Sequence, residues 1–299
     1  MDLPELKIGH LLAKVPIVQG GMGVGISLSS LAGNVALNGG IGVISAVEIG
    51  FNEPDYLTNK VEANLRALRW HIKKARDISK GGILGINIMV ALNNFEQMVV
   101  EAVKEKIDII FSGAGLPLKL PKYTKGSDTK IVPIVSSGRA AEVICKNWHK
   151  NYGVAPDAIV VEGPLAGGHL GFKEEEIYKP SFQLHQLIKD VLVAIKPFEA
   201  IYNRKIPVIA AGGIFSGRDI AEFMHLGAAG VQMATRFVAT HECDASEEFK
   251  KMYLNADPDD IQIIQSPVGM IGRAIKNKFL EDVVAGQRKP IRCISNCLK

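Results

Sequence analysis

A chain of 299 residues is long for one open sheet but falls within the range of a single α/β barrel. Hydrophobic residues make up 47% and charged residues 22%, with 30 glycines, which excludes a disordered or fibrous protein and suits aliphatic strands joined by tight loops. The net charge of +4 is spread over helical segments instead of forming a patch, which argues against a nucleic-acid partner.

The amino-terminal MDLPELKIGH is charged, and no apolar run approaches the ~20 residues that a membrane-spanning helix needs, so a cytoplasmic protein is expected. Eight short aliphatic runs follow in order: PIVQGGM (16–22), IGVISA (41–46), GILGINIMV (82–90), IDIIFSG (107–113), KIVPIVSS (130–137), DAIVVEG (157–163), IPVIAAGG (206–213) and GVQMATRF (230–237). They are nearly continuous in apolar residues, as strands covered on both faces should be, and no hairpin signal interrupts them. Helical periodicity marks LSSLAGNVALNG, NNFEQMVVEAVKEK, GRAAEVICKNWHKNYG, FQLHQLIKDVLVAIKPFE, GRDIAEFMHLGA and SEEFKKMYLNA. The pattern predicts a (β/α)8 TIM barrel over residues 1–256. After the fourth strand, LPLKLPKYTKGSD is too interrupted by Pro and Gly for a regular helix and is expected as an irregular crossover. Residues 47–80 read as a helical insertion after the second strand, and 257–299 as an extension packed on the barrel. Both are placed to cover the catalytic face.

The four cysteines do not form a disulfide framework: Cys145 and Cys243 stand alone, and only Cys293 and Cys297 lie close together. Two thiolates cannot close a tetrahedral zinc site, and no His or carboxylate cluster with metal-ligand spacing occurs, so no metal is expected.

In a barrel the strands' C-terminal ends carry the chemistry, and glycines gather there, in QGGMGVG (19–25), EGPLAGGHLG (162–171) and AGGIFSG (211–217). Gly212 and Gly213 sit where the seventh strand turns toward a helix, and Met233, Ala234 and Thr235 end the eighth. Backbone N–H groups converging there make an anion site, which implies a phosphate-bearing ligand; the competing reading is that the glycines only relieve strand–helix crowding. Neither a P-loop nor a G-x-G-x-x-G motif is present. Of the seven histidines, His71, His149, His185 and His225 lie among charged neighbours on helical segments and read as solvent-facing, with His10 and His241 at element edges. His169 instead sits in a loop of small residues, suited to a general base or an anion-binding donor, or else to packing that loop.

QGGMG, GINIM, EGxxAGGHxG, PVIAAGGI and QMATRF, in this order across residues 14–240, resemble the nitronate monooxygenase (2-nitropropane dioxygenase) family, close to the flavin-dependent enoyl-acyl-carrier-protein reductase II. SPVGMIGRAIKN (266–277) is similar to that family's downstream segment. The resemblance implies FMN held by Gly21, Met22, Gly23 and Asn87, near Glu162, Gly167 and Gly168. Its phosphate would lie against Gly212, Gly213, Met233, Ala234 and Thr235, with Gln232 close by. His169 matches the family's active-site histidine. One departure is Ala234, where the family usually has Gly. The implied reaction is oxidation of alkyl nitronates by O2 to carbonyl compounds and nitrite. The first alternative is an NAD(P)H-dependent enoyl-thioester reductase on the same flavin. The second is a flavin-free lyase or isomerase acting on a phosphate ester. That chemistry wants a Lys or paired carboxylates at strand ends, where this sequence offers only Glu48 and Glu162.

Overall fold

The computed structural model describes residues 4–266 and 269–287. Cys293 and Cys297, like Pro267 and Val268 of the 266–277 stretch, lie outside the described residues. The chain opens with an antiparallel hairpin of β1 (Leu6–Ile8) and β2 (Leu11–Ala13). Then come β3 (Ile17–Gln19), α1 (Ser29–Leu37), β4 (Gly42–Ser45), α2 (Lys60–Ser79), β5 (Leu84–Asn87), α3 (Phe95–Lys104), β6 (Ile109–Ser112), α4 (Leu120–Thr124), β7 (Lys130–Val135) and α5 (Gly138–Tyr152). The second half runs through β8 (Ile159–Glu162), β9 (Gly168–His169), α6 (Leu184–Tyr202), β10 (Val208–Ala211), α7 (Gly217–His225), β11 (Gly230–Met233), α8 (Thr235–Val238), α9 (Glu247–Asn255), β12 (Ile261–Gln265), β13 (Ile271–Ile275) and α10 (Lys278–Val284).

Eight of these strands form one parallel sheet in the order β3-β11-β10-β8-β7-β6-β5-β4. The Val18–Ile41 bridge closes it, with Ile41 N–H donating to Ile17 O and Gln19 N–H to Ile41 O, both at 2.9 Å. This is the (β/α)8 TIM barrel that the spacing predicts. Alternation along each strand divides the core in two. Val18, Val43, Ile109, Phe111, Val132, Val160, Ile209 and Ala211 fill the barrel interior. Their neighbours Ile44, Leu84, Ile86, Ile110, Ile131, Val161, Val208 and Val231 pack outward against the helices. The hairpin was not foreseen. Leu6, Ile8 and Ala13 join the interior cluster, so it plugs the N-terminal end of the barrel.

Two expected irregularities differ. The 60–79 helix is not an insertion over the face: α2 packs between α1 and α3 in the outer layer, as the second barrel helix. Its buried stripe of Ala63, Ala67, Leu68, Ile72 and Ala75 requires that position, which leaves the segment between Ser45 and Lys60 as the additional material. The crossover after the fourth strand contains the five-residue α4, because Pro121 occupies the first turn, where no backbone donor is lost.

The three-stranded antiparallel sheet β12-β13-β9 ties the C-terminal segment to the loop after β8. At the other side of the barrel, the Asp244 carboxylate accepts from the N–H groups of Leu28, Ser30 and Leu31, capping α1.

The approach of α1 to the sheet is set by Gly42, where a Cβ would fall on the Ala32 carbonyl oxygen. Gly42→Ala is expected to destabilise the protein by about 3 kcal/mol in urea unfolding, since backbone has to move; a loss below about 1 kcal/mol would show that α1 retreats freely.

Candidate active site

The inward positions at the C-terminal ends of β4, β5, β8 and β11 are Ser45, Asn87, Glu162 and Gln232. Interior aliphatics thus give way at the mouth to a polar layer. Asn87, Glu162 and Gln232 are partly buried, and their side chains have no hydrogen-bond partner among the described residues. Such groups are stable only if something polar meets them.

The loop after β3 lies across this layer. A Cβ on Gly20 would sit 3.3 Å from Gln232 Cγ, and one on Gly21 would sit 2.5 Å from Asn87 Cβ. A side chain at Gly21 would force Asn87 to move, and one at Gly20 would crowd Gln232, because the backbone rests on those side chains. Ser27 pins the loop: its Oγ accepts from Met22 N–H at 2.7 Å, and its own N–H donates to Met22 O. A Cβ on Gly23 would collide with Val47 and Ser45.

Gly212 and Gly213 adopt left-handed φ of 95° and 80°, and a Cβ on either would press on the β8 loop, at Gly163 and Ala166 or at Leu165. Crowding alone therefore requires glycine at both. The anion-site reading keeps separate support, because the N–H groups of Gly213, Ala234 and Thr235 have no acceptor among the described residues. Met233 contributes main chain, its O accepting from Gly20 N–H at 2.8 Å while its side chain packs in the outer core. Ile88 likewise points outward and is fully buried.

His169 and Gly168 belong to β9, which pairs with β13, and Gly167 precedes them. His169 is exposed as a residue, but partial desolvation of its ring lowers its pKa, and Nε2 lies 2.8 Å from Ser266 Oγ. It makes no hydrogen bond to Asn87, Glu162 or Gln232. Its loop is held by Arg273, which donates to Ala166 O at 3.2 Å and Pro164 O at 2.9 Å. Ser45, Ser27 and Asp244 are not among the expected site residues, and Ser266 and Arg273 were marked only as part of the SPVGMIGRAIKN stretch, with no role; Ser45 carried a local signal in its inward phase at a strand end. His71 corrects the solvent-facing expectation: it is partly buried, shares a hydrogen bond with Ser29 Oγ at 3.1 Å, and is pushed down to about 4 by burial.

Among the described residues no cluster of His, Cys, Asp or Glu could hold a metal ion, and no helix is long and apolar enough to cross a membrane.

A closed parallel barrel with an unpartnered polar ring at its C-terminal mouth has the architecture of a barrel enzyme. A family model described as nitronate monooxygenase matches residues 5–299. A probable nitronate monooxygenase of Staphylococcus aureus is 29% identical over 296 residues, covering 91% of this chain and 78% of the relative. The (3aS,4S,5R,7aS)-5-hydroxy-7a-methyl-1-oxo-octahydro-1H-indene-4-carboxyl-CoA dehydrogenase of Mycobacterium tuberculosis is 26% identical over 275 residues; the match spans 91% of this chain but 66% of that enzyme. Among solved structures, FabK from Thermotoga maritima is 28% identical with a TM-score of 0.71, covering 92% of this chain and 76% of its own. A nitroalkane oxidase from Streptomyces ansochromogenes has the same TM-score at 22% identity, covering 90% and 79%, which is a likeness of fold. The chain belongs to the nitronate monooxygenase family, whose members are flavin-dependent oxidoreductases.

Burial pushes the Glu162 carboxyl up to about 7, with no charged partner acting on it, against 4.5 for a solvated side chain. The folded state therefore binds more protons than the unfolded one between these values, and this group's contribution to stability is lost as pH rises from 4.5 to about 7. Without added flavin, Glu162→Gln is expected to flatten that decline in melting temperature; parallel wild-type and variant curves would place the carboxyl in a water-like setting.

Proposed function

We propose that the chain binds FMN across the barrel mouth and oxidises alkyl nitronates with O2 to carbonyl compounds and nitrite. The observation that carries this reading is the pairing of two features at one mouth: the unpartnered ring of Asn87, Glu162 and Gln232, and the unpaired N–H groups of Gly213, Ala234 and Thr235. A planar heterocycle with donor and acceptor edges suits the first, and a phosphate suits the second.

In this reading the main chain of Gly21, Met22 and Gly23 lies against the ring system, Gly167 and Gly168 border it, and Gly212 and Met233 shape the phosphate end. The methyl of Ala234 leaves its N–H available. Bound there, FMN would supply the redox chemistry between the nitronate and O2. His169, kept neutral near pH 7 by its lowered pKa, orients the anionic nitro group through a ring nitrogen or takes the α-proton of a neutral nitroalkane.

One observation favours a second reading, NAD(P)H-dependent reduction of an enoyl thioester. With α2 in the outer layer, the mouth keeps an open apolar rim: Val24, Leu165 and Phe215 are 47%, 57% and 54% exposed. A long acyl thioester would use that rim, and two relatives, FabK and the mycobacterial carboxyl-CoA dehydrogenase, have names compatible with such substrates.

Anaerobic addition of NADH or NADPH to the flavin-loaded protein separates the two. Flavin absorbance that persists with both nucleotides, together with nitronate-dependent oxygen uptake, is the expected result, and rapid bleaching assigns the reductase. His169→Asn is expected to keep FMN content while lowering turnover about 10- to 100-fold; unchanged turnover removes His169 from the chemistry.

A further inference from the structure

Two hydroxyls, Ser136 and Ser137, follow β7, and the fold uses one of them. Ser137 caps α5, its Oγ accepting from Ala140 N–H at 3.1 Å. Ser136 has no such task, and its side chain makes no hydrogen bond to any described residue. The phase of β7 places it. Ile131 and Val135 pack in the outer core, whereas Val132 and Ile134 meet the barrel interior, so the next residue on the inward side is Ser136.

Register fixes its neighbour. β7 and β8 run parallel with Ile134 beside Val160 and Val135 beside Val161, so the next step sets Ser136 beside Glu162. Both side chains are partly buried, and neither satisfies the other by a hydrogen bond. Neighbouring strands lie about 4.8 Å apart, so one ligand edge can reach both. β7 stands four strands from β3 around the barrel, across the mouth from the 20–25 loop, which rests on Asn87 and Gln232. Above Ser136 the main chain comes close: a Cβ on Gly171 would fall 2.7 Å from its Oγ, so glycine there keeps a side chain off the hydroxyl. Burial pushes Glu162 up to about 7, so water solvates this corner poorly, and two polar groups in it call for a partner from outside the chain.

We propose that Ser136 is a further ligand-binding residue: with Glu162 it forms a two-point edge that takes the side of a planar heterocycle where an N–H adjoins a C=O. A carboxyl oxygen accepts from the N–H and the serine hydroxyl donates to the carbonyl, so the pair matches a cyclic imide. The isoalloxazine of FMN carries such a side, and a sugar phosphate does not. The proposal rests on the reading of the mouth as an FMN site.

The test titrates flavin-free wild type and Ser136→Ala with FMN and with its N3-methyl analogue, following the quenching of flavin fluorescence. Wild type is expected to prefer FMN over the analogue, whose methyl replaces the imide N–H. Ser136→Ala is expected to weaken FMN binding about three- to tenfold and to narrow that preference, with the melting temperature of the flavin-free protein unchanged. Ser136→Cys, close in volume but a weak donor, is expected to fall between the two, and it is read in place of the alanine variant if that does not accumulate as folded protein. Wild-type affinity for FMN in Ser136→Ala overturns the role of the hydroxyl, and an equal loss for FMN and the analogue overturns its pairing with Glu162; both leave the FMN reading in place. A wild type that binds neither flavin overturns that reading instead.

Discussion

The seam between β3 and β4 has two main-chain hydrogen bonds at Ile41 and is completed by one side chain. The fully buried Gln19 carboxamide accepts from Val43 N–H at 3.0 Å and donates to Val43 O at 3.2 Å, standing in for a strand where the main-chain ladder ends. Without it, both polar groups of Val43 would be orphaned in a dry interface, at a cost of order 1–3 kcal/mol each. Beyond Gln19 the main chain keeps one bond to the sheet, Gly20 N–H to Met233 O at 2.8 Å, and then leaves it. Gly20 to Gly25 can then fold over the mouth, resting on Gln232 and Asn87. Barrel closure and the floor of the candidate site thus meet at Gln19.

The polar ring follows from the same alternation that builds the core. At the ends of β5, β8 and β11 the last inward position leaves the aliphatic interior and takes up a group that needs a partner. Glu162 shows the tension most plainly, since a carboxyl in that place is held toward its neutral form by burial alone. The glycine pair 212–213 serves two demands at once. Packing against the β8 loop forbids a side chain, and the same bare backbone leaves an N–H open at the mouth. Steric and functional explanations for such glycines are therefore not rivals here.

The eight strands and the glycine loops were legible because their signals are local: continuous aliphatic runs, and turn residues at strand ends. The resemblance in QGGMG, GINIM and EGxxAGGHxG was legible for the same reason. The β1–β2 hairpin was not, because two three-residue strands carry too little alternation to stand out. The 60–79 helix was read as an insertion because a long loop precedes it, and its apolar stripe does not say which neighbours it meets. The partners of Ser266, Arg273 and Asp244 were not legible for a different reason, although Ser266 and Arg273 lie in the SPVGMIGRAIKN stretch. Each acts across about a hundred residues or more, on main-chain atoms or a ring that no spacing rule connects to it.

The cap on α1 bears on how the chain assembles as it is made. Asp244 supplies the acceptors for the first turn of a helix 216 residues earlier, and β3 takes its ladder partner from β11, the last barrel strand. The first β/α unit to leave the ribosome is therefore the last to be completed. Until the eighth unit emerges, β3 has an open edge and α1 an uncapped end, so this order of synthesis makes the amino-terminal quarter of the chain the part most exposed to wrong partners during translation.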